Sequence, residues 1–120
     1  MSSFAKKIRP YVLGEFKSYQ ICLLQGDAIQ AFTHLENAHV LGQQSTYWHV
    51  VTHYHMARWA VTQCDIKEFA GQLLRIAGAA TKTVFGLVPA GNTGGTNVSP
   101  FKPMPLTAEH KKLIAQANVD

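Results

Sequence analysis

Histidine is the residue type in this chain whose number and spacing most directly suggest chemistry. The 120-residue sequence contains six histidines, and five of them fall within residues 34–55. His49 and His53 are four residues apart, and Glu36 precedes His39 by three. Because residues three or four apart share one face of a helix, each pair would direct two metal-binding side chains the same way. Imidazole nitrogens and carboxylates are common protein ligands of zinc and iron, so this segment predicts a metal site.

Helix signals around this segment predict an antiparallel hairpin that would position the two pairs. A capping box that begins at Asp27 predicts a helix over about 27–41. Ser45 or Thr46 then caps a second helix over about 47–63. Since the connection is only a few residues long, the two helices are expected to pack antiparallel.

Folding this hairpin about its turn brings the two pairs together. His39 then comes level with His49, and Glu36 comes nearly level with His53. Four ligand-type side chains converge, which predicts a mononuclear site for a divalent transition metal, zinc or iron, held by Glu36, His39, His49 and His53. A closed set of four ligands would be structural, whereas a further position taken by water or substrate would make the site catalytic.

Two other interpretations of the histidines stay open beside the metal site. A histidine in an apolar helix is often a core residue that is hydrogen-bonded to a neighbour, and a group of them can form a structural cluster. The same residues could also perform acid and base catalysis without a metal. His34, His55 and His110 are expected to be structural or exposed.

Further polar residues are candidates for holding the ligands in place or contacting a substrate. Counting back from the first turn places Glu15 opposite Asn37, within reach of the same region. Arg75 falls level with His53, where it could hold an anionic substrate or pair with Glu36. The candidates of this kind are Glu15, Gln43, Arg75 and Asn92.

The rest of the sequence predicts an all-α fold of four main helices in antiparallel hairpins. One helix is expected over about 10–24, and another over about 65–79, where Asp65 and Glu68 form a second capping box. The first residue of that box follows Asp27 by 38 positions. This spacing indicates a weak repeat of helical hairpins, either tetratricopeptide-like or a simple bundle.

The predicted single domain, 1–120, has irregular parts at its start and after the fourth helix. Residues 1–9 are expected to fray, and residues 81–106, rich in proline and glycine, to form an irregular loop packed on the helices. Within that loop, 91–95 could cradle an anion, form part of a lid or simply be rich in turns. Thr107 then caps a short C-terminal helix.

The composition argues against several classes of function. The net charge of +4 comes from basic residues near the two ends, not from the basic stripe that nucleic-acid readers carry. No apolar run has the length of a signal peptide or a membrane span, so a cytoplasmic protein with reduced cysteines is expected. The expected partner is a metal ion or a small molecule, with no specific nucleic acid and no membrane. A homodimer is compatible with the apolar surface of a two-hairpin unit.

Four motifs in the chain support a resemblance to a known family. They are Leu35-Glu36-x-x-His39-x-Leu41-Gly42-Gln43, His49-x-x-x-His53-x-x-Met56, Asp65-x-x-Glu68-x-x-Gly71-Gln72-x-x-Arg75 and Pro89-x-Gly91-Asn92-Thr93-Gly94. Over about residues 25–105 the chain resembles an uncharacterised bacterial domain-of-unknown-function family. That family has no known activity, so the resemblance does not indicate a reaction or a substrate. The Glu-x-x-His element also looks like one quarter of a ferritin-like di-iron site, but such a site needs two of these elements.

From the sequence we expect a small metal-binding helical protein with a His3Glu-type site. A metal-dependent enzyme and a metal-handling protein are both compatible with that site. The alternative is a tetratricopeptide-like interaction module in which the histidines are structural.

Overall fold

The computed structural model describes residues 1–84 and 89–119. This part of the chain forms five helices, with the last one short and following a long loop. The all-α class that the sequence predicted is confirmed. The helices are α1 (Ser3–Leu24), α2 (Ala28–Gly42), α3 (Thr46–Thr62), α4 (Ile66–Val84) and α5 (Ala108–Ala117).

Helices α1 to α4 form two antiparallel hairpins that meet along α2 and α3. Helix α1 packs on α2, α3 packs on α4, and α5 covers one end of the first hairpin. The apolar side chains between these helices form one core, whose largest fully buried members include Ile8, Val12, Leu35, Leu41 and Met56. Helices α2 and α3 therefore each have neighbours on two sides, which explains their largely apolar sequences.

The two hairpin turns have the same backbone design. Gly26 has a φ of 78° and Cys64 a φ of 55°, both in the left-handed region. The next residue in each turn, Asp27 or Asp65, donates its backbone N–H over 2.9 Å to the carbonyl five positions earlier. These are the bonds of a Schellman-type helix end. The 38-residue offset found in the sequence thus corresponds to a repeated turn geometry.

The first helix begins earlier than its sequence pattern suggests. It includes most of the residues expected to fray, 1–9, and continues through Pro10. The Ser2 hydroxyl caps the helix by accepting the backbone N–H of Ala5 at 3.1 Å. The Trp48 indole donates to the Ala5 carbonyl at 2.9 Å. Tertiary packing and a good cap therefore hold this segment as helix despite the proline.

An irregular segment between α4 and α5 lies across the helices, and we call residues 89–106 the strap. Its two ends approach each other where Met104 donates its backbone N–H to the Ala90 carbonyl at 2.9 Å. Helix α4 also runs past its predicted end at residue 79. The sequence further suggests that Phe85, Leu87 and Val88 pack on the helices, but these three residues lie outside the described part.

Within residues 1–84 and 89–119, no helix combines the length and the apolar composition that are needed to cross a bilayer.

Candidate metal centre

Three buried histidines converge where α2 meets α3. His39 comes from α2, and His49 and His53 lie one turn apart on α3. Each is at most 3% exposed. The Nε2 atom of His39 lies 3.0 Å from Nε2 of His49 and 3.1 Å from Nε2 of His53. These residues therefore form a triad of potential metal ligands, and it could hold a metal ion.

The hydrogen bond on the far side of the His39 ring defines its tautomer. Its Nδ1 lies 2.6 Å from the backbone carbonyl oxygen of Asn92. Because a carbonyl oxygen can only accept, Nδ1 must carry the proton and donate it. In the neutral ring, Nε2 of His39 then carries the lone pair, on the side of the other two histidines.

The same argument applies to His53 through Gln72. Nδ1 of His53 lies 2.5 Å from the side-chain oxygen of Gln72. The Gln72 amide nitrogen donates to the Glu68 carboxylate at 2.9 Å and to the Gly94 carbonyl at 3.0 Å. Since both partners are acceptors, the amide nitrogen must face them and the amide oxygen must face His53. Nδ1 of His53 is therefore the protonated nitrogen, and its Nε2 also carries a lone pair.

Two electron pairs thus face each other across 3.1 Å, between Nε2 of His39 and Nε2 of His53. Such an arrangement is repulsive unless a cation, either a metal ion or a proton, lies between the nitrogens. A tetrahedral zinc ion with Zn–N bonds of ~2.0–2.1 Å separates its ligand nitrogens by ~3.3 Å. The two distances from Nε2 of His39 lie within a few tenths of an ångström of that value, and the ligand atoms of the triad all lie within 4.8 Å of one another.

The strap packs against the His39 ring of the triad. Asn92 is buried, and its side chain bonds the strap's own backbone, donating to the carbonyls of Ser99 at 2.8 Å and Lys102 at 2.7 Å and accepting from Gly94 N–H at 2.9 Å. Gly94 has a φ of 85°, and a Cβ there would lie 2.5 Å from Cδ2 of His39. Only glycine therefore lets the strap approach the His39 ring this closely.

The triad forms part of the wall of a cavity of about 560 Å³. A volume of this order suits a small organic molecule. Helix α4 and the strap complete the wall with mostly apolar groups, including Leu74, Ala77 and Phe101. The histidines thus line the cavity, while the Nδ1 atoms of His39 and His53 bond protein groups on their other side.

The fourth predicted ligand, Glu36, lies on a different surface. It lines a second, smaller groove together with Glu68 and Trp59, and it is not a member of the histidine group found in the described residues. Burial raises the pKa of the Glu36 carboxyl; a hydrogen bond with Thr93 acts in the opposite direction, and nearby Glu68 adds to the rise. The predicted His3Glu set is therefore not brought together: Glu36 lines this second groove, while the three histidines line the cavity.

Two of the other predicted positions have clear partners. Glu15 lies opposite Asn37 as the sequence suggests, at 3.4 Å, but its shorter contact, 2.7 Å, is to Nδ1 of His34. Gln43 lines the cavity and donates to the Pro89 carbonyl at 2.8 Å. Glu15 thus connects the helices of the first hairpin, while Gln43 fastens the start of the strap beside the triad.

The histidines outside the triad behave as structural residues. The His34 ring, near Glu15, is half-buried. The His55 ring packs on Phe16 with 4.7 Å between ring centroids, and its pKa is lowered by burial and by the neighbouring Arg58.

Arg75 also lines the cavity wall, where it bonds the strap. Its Nη2 donates to the Val98 carbonyl at 2.9 Å, and Nη1 makes a longer contact of 3.4 Å to the Gly71 carbonyl. Within the described residues it forms no ion pair with Glu36.

Glu68 and Gln72 are the functional residues that the sequence analysis did not assign to the site. Glu68 appeared to belong to a capping box, and its backbone N–H does bond the Asp65 side chain at 2.9 Å. Its own carboxylate, however, accepts from Gln72 and from the backbone N–H of Thr96. A signal was present, because Glu68 and Gln72 are four residues apart and share a helix face with Arg75.

Comparison with protein families gives one informative result. Residues 6–114 match a family model described as "Protein of unknown function (DUF3703)". No curated protein and no solved structure matches the chain.

Proposed function

The chain belongs to the DUF3703 family of unknown function, and we propose that it is a metal-dependent enzyme with one divalent ion bound by Nε2 of His39, His49 and His53. The ion is zinc or iron, and zinc suits three neutral nitrogen ligands best. Its remaining coordination position faces the cavity and is taken by water or by a substrate.

The opposed electron pairs of His39 and His53 carry this proposal. A proton shared among the three rings would also relieve the repulsion, but it would create a buried imidazolium. The Glu68 carboxylate is linked to His53 through the Gln72 amide and does not itself bond the ring in the described contacts. A divalent ion accepts the electron pairs of His39 and His53, together with that of His49 in the same tautomer, and the outer hydrogen bonds of His39 and His53 are those that metal-bound histidines usually make.

The chemistry follows from a site with three protein ligands and one open position. A zinc ion held in this way lowers the pKa of a bound water to about 7 and polarises carbonyl groups. A half-enclosed, largely apolar cavity strengthens these electrostatic effects by excluding bulk water. Hydrolysis or hydration of a small molecule is the reaction type that this arrangement supports.

Metal content tests the proposal directly. We expect the untagged protein, loaded with zinc or iron and freed of excess ion, to contain about one ion per chain by elemental analysis. His39→Ala and His53→Ala should lose it, whereas His110→Ala, a matched change on α5, should retain it. Metal far below one equivalent after loading with each ion, or metal that persists in both triad variants, would contradict the proposal.

Nitrogen NMR of the histidine rings separates the metal from the shared proton. We expect the metal-loaded protein to show His39 and His53 protonated at Nδ1 and metal-shifted at Nε2 near neutral pH. A doubly protonated ring in the triad, unchanged by zinc, would instead support a structural hydrogen-bond cluster.

An interaction module is the second candidate, and the outer surface of α4 favours it. Ile66 and Leu73 are 82% and 51% exposed. Tetratricopeptide-like hairpins use such faces to bind neighbours or peptides. If the protein binds no metal but forms a stable complex through α4, this candidate becomes the better explanation.

A further inference from the structure

The cavity contains a second chemical feature, the guanidinium group of Arg75. Its Nη atoms bond backbone carbonyls, but its Nε–H is buried and has no acceptor among the described residues. A buried donor that lacks an acceptor costs free energy unless a ligand or solvent supplies one. Arg75 lines the same cavity as the histidine triad, so a ligand in that cavity contacts a cationic group whose hydrogen bonds are incomplete in the described structure.

The cavity has a positive charge and no negative charge in its described lining. Arg75 supplies the positive charge, the histidines of the triad are neutral as metal ligands, and no aspartate or glutamate is present. The nearby acid, Glu68, lines the other groove, and its carboxylate already accepts from Gln72 and Thr96. A divalent ion on the triad would add further positive charge, so the cavity favours an anion.

The rest of the lining sets the shape of that anion. Leu74, Ala77, Pro100 and Phe101 give the outer part of the cavity an apolar surface. An inorganic anion would leave this surface in contact with water. A molecule with a charged end and a short hydrocarbon body covers it and gains from its burial.

We propose that the cavity binds a small organic carboxylate, with the carboxylate accepting from Arg75 and the apolar body lying against Leu74, Ala77 and Phe101. This inference rests on the proposed metal function, because it names the substrate class of the same site. The planar guanidinium group is well suited to a carboxylate, since it offers directional donors together with a permanent charge. The metal then faces the part of the substrate that reacts.

Calorimetric titration with hexanoate and its neutral analogue hexanamide tests the proposal on the zinc-loaded protein. We expect hexanoate to bind at least about tenfold more tightly than hexanamide. Arg75→Gln should weaken hexanoate binding about tenfold or more and change hexanamide binding little. Arg75→Lys, which retains the charge but not the planar donors, should fall between the wild type and Arg75→Gln.

Arg58→Gln is the matched control, because it removes the same charge from α3 at an exposed position beside Tyr54. It should leave hexanoate affinity within about twofold of the wild type. Circular dichroism verifies that each variant folds. The proposal is overturned if hexanoate does not bind, if acid and amide bind equally, or if the Arg58 and Arg75 variants lose the same affinity.

Zinc content, measured on every sample, separates this proposal from the preceding one. If the protein holds zinc but its hexanoate binding does not depend on Arg75, the carboxylate proposal is refuted and the metal proposal stands. Protein that holds no zinc, yet binds hexanoate through Arg75, refutes the metal function and leaves the anion site standing.

Discussion

At the scale of single residues, the site depends on side chains that never touch the proposed ion. Gln72 donates to two acceptors and thereby presents its oxygen to His53. It is fully buried on α4, in a position that a helix interior could fill with an apolar residue. Its amide is therefore best explained by the orientation that it imposes on the His53 ring.

Replacing this amide should weaken metal binding without removing a ligand. We expect Gln72→Met, which keeps the length of the side chain, to lower zinc affinity by roughly 10- to 100-fold, because His53 loses the bond that fixes its tautomer. Competition with a chromophoric chelator measures the change. Gln63→Met, at an exposed position, is the control; equal affinities in wild type and Gln72→Met would contradict this role.

Glu36 should make the stability of the metal-free protein depend on pH. Its pKa is raised above the ordinary 4.5, mainly by burial, so the folded state binds its proton more tightly than the unfolded state does. The stability that this proton contributes is present below the unfolded pKa and is lost as pH rises through the folded pKa.

We therefore expect Glu36→Gln to match the wild type near pH 4 and to become the more stable of the two as pH rises. Urea unfolding of both proteins, freed of metal with a chelator, measures the difference in their free energy of unfolding across pH 4 to 7. The Glu36 carboxyl group has a hydrogen bond with the Thr93 side chain, and a glutamine at this position can still accept it. A difference that shrinks as pH rises would show that the carboxylate is stabilised in the folded state.

At the scale of secondary-structure elements, the two hairpin turns form a natural pair for experiment. Gly26 and Cys64 occupy equivalent left-handed positions, but only the glycine adopts that conformation without steric cost. We expect Cys64→Gly to stabilise the protein by up to about 1 kcal/mol, and Gly26→Ala to destabilise it by about 1 kcal/mol. Chemical unfolding measures both, and effects of the same sign would disprove the equivalence of the turns.

The helices could be predicted from sequence because their signals are local. Asp27, Ser45 and Thr107 each accept a backbone N–H three residues later, as their capping patterns indicate. The convergence of His39 with His49 and His53 followed from helical periodicity and a short turn. These features need only nearby residues and a regular geometry.

The outer part of the site could not be predicted in the same way. The bond from His39 to the Asn92 carbonyl joins residues 53 positions apart, and a backbone carbonyl carries no side-chain signal. Glu36 lines the other groove and has a hydrogen bond with Thr93 of the strap, which the sequence pattern also does not reveal. Such contacts depend on how an irregular segment packs, which periodicity does not describe.

At the scale of the whole molecule, the triad lies on the seam between two hairpins. The first hairpin supplies His39, and the second supplies His49 and His53. Helices α2 and α3 also pack together less extensively than the two helices within each hairpin. A metal ion at this place would therefore connect the two halves of the fold.

Metal binding should consequently stabilise the entire domain. With free zinc at about 100 times its Kd, the gain is ~2.7 kcal/mol, and for a chain of this length Tm should rise by roughly 10 °C. Thermal unfolding with zinc and with a chelator measures the shift. His49→Ala should show little of it, and an equal rise in that variant would mean that zinc acts elsewhere on the protein.

The position of the triad on the seam also dictates the order in which the protein can be assembled. Neither hairpin alone offers more than two of the three nitrogens, and the strap that orients His39 comes later in the chain than both hairpins. We therefore expect tight metal capture to come last, after folding, through the open side of the cavity. The route by which a substrate would enter is then also the route by which the newly made protein receives its ion.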